Sequence, residues 1–166
     1  MDRSAFDAFV REVADPLRRY LLRRTDPATA DDVLGDALLV CWRRRGDIPA
    51  DALPWAFGVV KGCLRNTERA QRRRTRLELK LVAQPAPADA PELDLSQALA
   101  RLRPADAELI RLWAWEELPP QAIATVLGIT ANAASIRLHR AKRRLREELG
   151  KDRADAGHDG EQGGDR

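Results

Sequence analysis

The stretch LPPQAIATVLGITANAASIRLHRAKRRLR, residues 118–146, decides the fold. Pro119 or Pro120 suits the first turn of a helix, where a missing amide costs nothing. Ile123 and Leu127 follow four residues apart on one face of that helix. Gly128 stops it, because glycine enters a left-handed C-cap without steric penalty. Thr130 is a capping residue for a second helix. A short helix, a glycine turn and a basic second helix spell a helix-turn-helix, whose second helix enters the major groove of DNA.

The second helix divides cleanly by angle. At about 100° per residue, Ala134, Leu138, Ala141 and Leu145 share one narrow apolar stripe, which should pack on the first helix. Opposite lie Asn132, Ile136, His139 and Arg143, flanked by Ser135, Arg140 and Arg146. Ile136 breaks the pattern, since an apolar residue there faces away from the core. A thymine methyl in the major groove would accept it, and Asn, His and Arg suit base edges or phosphates. For a basic helix alone, a solvated charged face is the simpler reading; the turn in front of it tips the balance to DNA. The candidate base contacts are Asn132, Ser135, Ile136 and His139, with Arg140 and Arg143 on phosphate or guanine.

ITANAASIRLHRAKRRLREEL, residues 129–149, resembles the last helix of region four in the extracytoplasmic-function sigma factors of bacterial RNA polymerase. That family reads hydrophobic, Ser/Thr, x, Gly/Asn, Thr/Ala, Val, x, x, Arg-Leu, x, Arg-Ala. This chain has Ile129, Thr130, Asn132, Ala133, Ala134, Arg137, Leu138, Arg140 and Ala141 at the matching places. LARLRPADAELIRLWAWEELPPQAIA, residues 99–124, is similar to the family's preceding helices. The family's usual Glu partner for Arg137 is Ala122 here.

A second motif occurs earlier, in the right order. ADDVLGDALLVCWRR, residues 30–44, is similar to region two of the same family, with Ala30, Asp31, Asp32, Val33, Leu34, Asp36 and Trp42 in matching positions. The resemblance implies that this helix docks on the polymerase β′ subunit, with Asp32, Asp36 and Arg43 as polar contacts and Leu39 as apolar anchor. Gly35 stands where Gln is usual, and a mid-helix glycine costs about 1 kcal/mol against alanine.

The remaining chain is read from periodicity and composition. Phe6, Phe9, Val10, Val13, Leu17, Tyr20 and Leu21 mark an amphipathic helix over 4–24, which Pro16 should kink or divide. DPATADDV opens a second helix, about 28–45, with Val33, Ala37, Val40 and Cys41 inward and Trp42 in the core or at its hinge. Residues 43–54 form an irregular loop, which in the family captures a base flipped from the −10 promoter element. Trp55 opens a basic helix with Trp55, Val59, Cys63 or Leu64, and Thr67 inward. Lys61, Arg65, Asn66, Arg69, Arg72 and Arg73 project from its other sides as the implied −10 contacts. Gly62 replaces the family's usual Asn, so the grip expected there is electrostatic.

Residues 83–96, with three prolines and several acids, read as a linker, a plain spacer or, by the resemblance, a segment threading toward the polymerase's active centre. Ser96 is expected to cap the next helix. Leu99, Leu102, Leu109, Ile110 and Leu112 support the helix-turn-helix, and Trp113 and Trp115 should join that core. KDRADAGHDGEQGGDR after Gly150 lacks apolar periodicity and reads as a disordered tail.

Composition fits this picture and excludes others. Charged residues make up 33% and aromatics only 5% of 166 residues, which suits two small helical domains better than one thick core. Net charge is only +3, yet residues 61–80 hold eight cations against Glu68 and Glu78, a segregation typical of a nucleic-acid binder. Cys41 and Cys63 sit in no metal-ligand pattern and read as small thiols in a reducing compartment. No leader or membrane span is apparent, so a cytoplasmic location is expected. No paired carboxylates, Cys/His arrangement or phosphate-cradling glycine loop points to an enzyme; no cofactor or metal is expected.

The expectation is therefore all-α: a region-two-like domain over 1–82, a flexible linker over 83–96, a region-four-like helix-turn-helix domain over 97–149 and a tail over 150–166. The resemblance implies a sigma factor that recruits core RNA polymerase through β′ and β, melts the −10 element and reads the −35 element. An anti-sigma factor is common in the family and joins the expected partners. The alternative is a stand-alone helix-turn-helix regulator that binds a palindromic site as a dimer without polymerase.

Overall fold

Seven helices, and among the described residues no strand, form the computed structural model, which describes residues 2–78 and 93–158 and the side chains of 2–75 and 95–150. Helix α1 (Arg3–Leu22) starts where the Asp2 carboxylate accepts the Ala5 amide at 2.8 Å. Helix α2 (Pro27–Arg43) starts the same way, with Asp26 accepting the Thr29 amide at 3.0 Å and Pro27 in the first turn. Each cap satisfies an orphan helix-terminal donor. Hydrogen bonds to Thr29 hold the Asp26 carboxyl below its usual range.

Pro16 does not divide α1, which runs through it unbroken. Val13, Leu17, Tyr20 and Leu21, on both sides of it, are all fully buried. Burying one such side chain is worth about 1.5–3 kcal/mol, so together they outweigh a proline penalty of about 3 kcal/mol.

Helix α3 (Ala52–Glu78) carries a register that differs from the expected one. Pro54, Ala56, Phe57, Val60 and Leu64 are its buried residues, Leu64 as one of the two alternatives expected there, and they pack against α1 and α2, whereas Trp55, Val59, Cys63 and Thr67 are only half-buried. The reason is a second contact. Trp55 and Val59 turn toward the other half of the chain, where α6 lies against α3.

That other half comprises α4 (Leu93–Arg101), α5 (Pro104–Ala114), α6 (Pro120–Leu127) and α7 (Ala131–His158). Ser96 lies inside α4, which begins three residues earlier, within the stretch expected as linker; residues 83–92 lie outside the described ones. Helix α7 does not stop at Gly150 but continues to His158, where a disordered tail was expected; only residues 159–166 lie beyond.

The buried side chains form one continuous cluster from Phe6 to Ala141 across both halves. Aromatic contacts knit it: Phe6 meets Trp42 edge-on at 4.9 Å, and Tyr20 meets Phe57 at 5.4 Å. Trp42 is half-buried there, and Trp115 half-buried in the second half. Trp113 is no core residue: it stays 43% exposed, with the Lys142 ammonium 3.3 Å from its ring centre. A cation over an indole face is a favourable surface arrangement, and burial beside it holds the Lys142 ammonium below its usual range.

Candidate nucleic-acid interface

The turn between α6 and α7 is built as its residues dictate. Pro119 precedes α6 in extended conformation and Pro120 sits in its first turn. Gly128 takes φ +65°, ψ +38°, the left-handed cap. Thr130 Oγ1 accepts the Ala133 amide at 3.2 Å, which fixes the start of α7. Ala134, Leu138 and Ala141 are fully buried and Leu145 partly so. Packing on that stripe leaves the opposite face of α7 in solvent.

All six candidate residues of that helix are exposed: Asn132, Ser135, Ile136, His139, Arg140 and Arg143. Ile136 is 43% exposed, one of four large apolar side chains so open among the described residues. Arg143 faces Glu147 at 3.6 Å, with both side chains about 60% exposed, a surface pair worth little and easily given up to a phosphate. Arg140 turns aside from the row toward a cleft between the two halves.

Sequence reading missed the company Arg140 keeps. Arg137 and Arg144 on α7, Arg103 and Arg111 near α5, and Lys61 and Arg65 on α3 line the same cleft. Arg144 is paired with Asp106, and Arg111 lies over the Trp115 ring at 5.7 Å. Arg137 meets no carboxylate among the described residues, consistent with Ala122 in place of the family's glutamate. A spacing of three and four along α7 marked this second basic face, but the sequence gives no sign of what lies across from it.

Helix α3 brings its candidates to two surroundings. Lys61 and Arg65 look into the cleft, whereas Asn66, Arg69, Arg72 and Arg73 are exposed away from it. The loop before α3 is held by a 3.3 Å ion pair of Arg44 with Asp47. Arg45 lies 4.6 Å from the Trp42 ring centre and Arg44 lies 5.4 Å from that of Trp55.

A separate face lies on α2. Asp32, Asp36, Leu39 and Arg43 fall within about 60° of one another around the helix and all are exposed, Leu39 at 55%. Ala30, Val33, Ala37 and Cys41 bury the opposite side; Val40, expected inward with them, is only half-buried. Burial pushes the Cys41 thiol up to about 11, leaving it protonated and inert. Both cysteines are free thiols. No metal-binding cluster occurs among the described residues, and no described helix is long and apolar enough to cross a membrane.

Comparison with known proteins gives this geometry a family. Residues 92–145 match the model of sigma-70, region 4. The chain is 31% identical over 153 residues to the RNA polymerase sigma-E factor of Streptomyces avermitilis, covering 87% of this chain and 84% of that one. It is 30% identical over 139 residues to the probable RNA polymerase sigma factor RfaY of Xanthomonas campestris; the match takes in 75% of this chain and 35% of RfaY. Its fold matches that of the sigma factor RpoE, solved with the anti-sigma factor NepR from Bartonella quintana, with a TM-score of 0.65. That match covers 88% and 97% of the two chains at 21% identity. The chain belongs to the RNA polymerase sigma factors of the extracytoplasmic-function type.

Proposed function

We propose that the chain binds core RNA polymerase and directs initiation at promoters whose −35 and −10 elements it recognises through two separate helices. The row on α7 is the observation that carries this reading. An isoleucine exposed between Asn132, Ser135, His139 and Arg143, on a helix fully buried behind, has an apolar partner in the thymine methyl. Arg140 and Arg143 then take phosphate or guanine.

Lys61, Arg65, Arg69, Arg72 and Arg73 grip the −10 backbone, with Asn66 beside them. With Gly62 in place of asparagine, affinity there is dominated by phosphate contacts and falls steeply with salt. Asp32, Asp36, Leu39 and Arg43 form the surface for β′, an apolar anchor ringed by charge, the usual anatomy of an interface hot spot. Residues 2–78 serve polymerase and −10 binding, and residues from about 93 onward serve −35 and β binding. RNA synthesis itself remains the polymerase's chemistry. Such a factor works in the cytoplasm, where polymerase and chromosome meet, and an anti-sigma factor is its natural regulator.

Selection of bound fragments from random DNA tests the reading against a stand-alone regulator. A sigma factor enriches a bipartite, non-palindromic sequence only when core polymerase is present. Enrichment of a palindrome by the protein alone would favour the regulator instead.

A further inference from the structure

The cleft of about 930 Å³ beside Arg140 gathers more positive charge than its own carboxylates can answer. Lys61 and Arg65 on α3, Arg103 and Arg111 toward the two ends of α5, and Arg137 and Arg140 on α7 all line it. None of these six has an ion pair among the described residues. Of the carboxylates in the cleft wall, Asp106 is engaged by Arg144. Glu108 accepts from Arg24 at 3.4 Å and from the Tyr20 hydroxyl at 3.2 Å. Arg24 also reaches Glu116 at 3.2 Å, where Arg23 joins it at 2.8 Å. Only Glu68 is left to face the six cations.

These charges are open to a solute. Arg65, Arg103, Arg137 and Arg140 are exposed, and Lys61 and Arg111 are half-buried. Like charges on a concave wall repel one another and focus a positive potential into the space between them. An anion bound there relieves that repulsion, and the planar fork of arginine matches the oxygens of a phosphate. The first turn of α5, which no side chain caps, opens on the same cleft at Pro104 and Ala105, and a helix N-terminus adds partial positive charge. Promoter contact accounts for Lys61, Arg65 and Arg140. It leaves Arg103, Arg111 and Arg137 without a task.

The remaining wall says what the anion carries. Half-buried Trp115, Leu127 and Ile129 give the cleft an apolar strip, with the Arg111 guanidinium 5.7 Å from the Trp115 ring centre. An aromatic and apolar strip beside clustered arginines suits a molecule with a flat ring at one end and phosphates at the other. The volume lies within the range of about 300–1,000 Å³ usual for small-molecule clefts.

We propose that this cleft is a nucleotide-binding site, taking a nucleoside di- or triphosphate with its phosphates among Arg65, Arg103, Arg137 and Arg140 and its base against Trp115, Leu127 and Ile129. Calorimetric titration of the full chain, without DNA or polymerase, tests this independently of promoter reading. ATP or GTP should saturate at one per chain. GMP, short of phosphates, and inorganic tripolyphosphate, without a base, should each bind at least about tenfold more weakly than the better of the two. Arg103→Ala/Arg137→Ala should weaken nucleotide binding at least about tenfold, and the single charge reversal Arg137→Glu should do the same. Arg3→Ala/Arg11→Ala, which removes two exposed cations of α1 outside the cleft, should stay within about twofold of wild type, because distant exposed charges are screened. Circular dichroism shows which variants are folded, and either folded cleft variant suffices. No saturation by ATP or GTP below about 1 mM overturns the site. Tripolyphosphate binding as tightly as the nucleotides overturns the place for a base, and an equal loss in the α1 variant overturns the assignment to this cleft.

Discussion

Leu39 stands 55% exposed while Cys41, two residues on along α2, is fully buried. The helix therefore turns a leucine to solvent while its core face is already complete. Leu39→Asp should leave the thermal midpoint within a degree or two of wild type, because surface substitutions rarely exceed about 0.5 kcal/mol. Affinity for core polymerase should fall about tenfold or more, as for an apolar anchor worth about 1–2 kcal/mol. Fluorescence anisotropy of labelled protein titrated with core checks both the loss and its size. Unchanged affinity would remove Leu39 from the polymerase surface.

Base reading and backbone grip respond differently to mutation. Ile136→Ala should relax the preference for one thymine by about 1 kcal/mol or more, with little change at other positions. Arg72→Ala with Arg73→Ala should weaken all promoters alike and reduce the slope of log affinity against log salt by about two units. Holoenzyme binding to a panel of single-base promoter variants at several salt concentrations separates the two. A uniform loss for Ile136→Ala would place that residue outside base contact.

Two backbone positions make opposite predictions for stability. Gly35 sits mid-helix with nothing within 4 Å of a built Cβ, so Gly35→Ala should stabilise by about 0.5–1 kcal/mol. Thr130 caps α7 through the Ala133 amide, so Thr130→Ala should cost about 1 kcal/mol. Urea unfolding midpoints measure both, and equal midpoints for wild type and Gly35→Ala would mean that solvent exposure of that helix face is not as described.

The buried thiol ties stability to alkaline pH. Burial raises Cys41 in the folded protein to about 11, above the ordinary thiol value near 9. Between these values the unfolded chain binds fewer protons than the folded one, so stability falls as pH rises. Wild type should lose more stability between pH 8 and 10.5 than Cys41→Ala does. Parallel urea midpoints for the two proteins over that interval would show that Cys41 is not held neutral by burial.

Much of the helix-turn-helix could be read in advance because its signals are local. Gly128, Thr130 and the stripe through Ala134, Leu138 and Ala141 each act within one or two turns, and the structure places them as the periodicity implied. The face of α2 was legible for the same reason. What escaped was everything set by a second neighbour. Val126 and Ala124 are buried along with Ile123 because α6 packs on α3 as well as α7, and a single stripe cannot reveal two partners. The register of α3 shifted for the same cause. Trp113 reads as core by type, yet Lys142, 29 positions away, gives its ring a place at the surface. The pairs of Arg24 with Glu108 and Glu116 span 84 and 92 positions, beyond any periodicity.

Reconstituted transcription tests the central claim most directly. Purified protein is added to sigma-free bacterial core polymerase with fragments of the source genome as template. The account predicts discrete new transcripts that share a bipartite upstream motif and that Leu39→Asp and Arg72→Ala/Arg73→Ala both diminish. Tight, specific DNA binding by the protein alone, with no core binding and no transcripts, would contradict it.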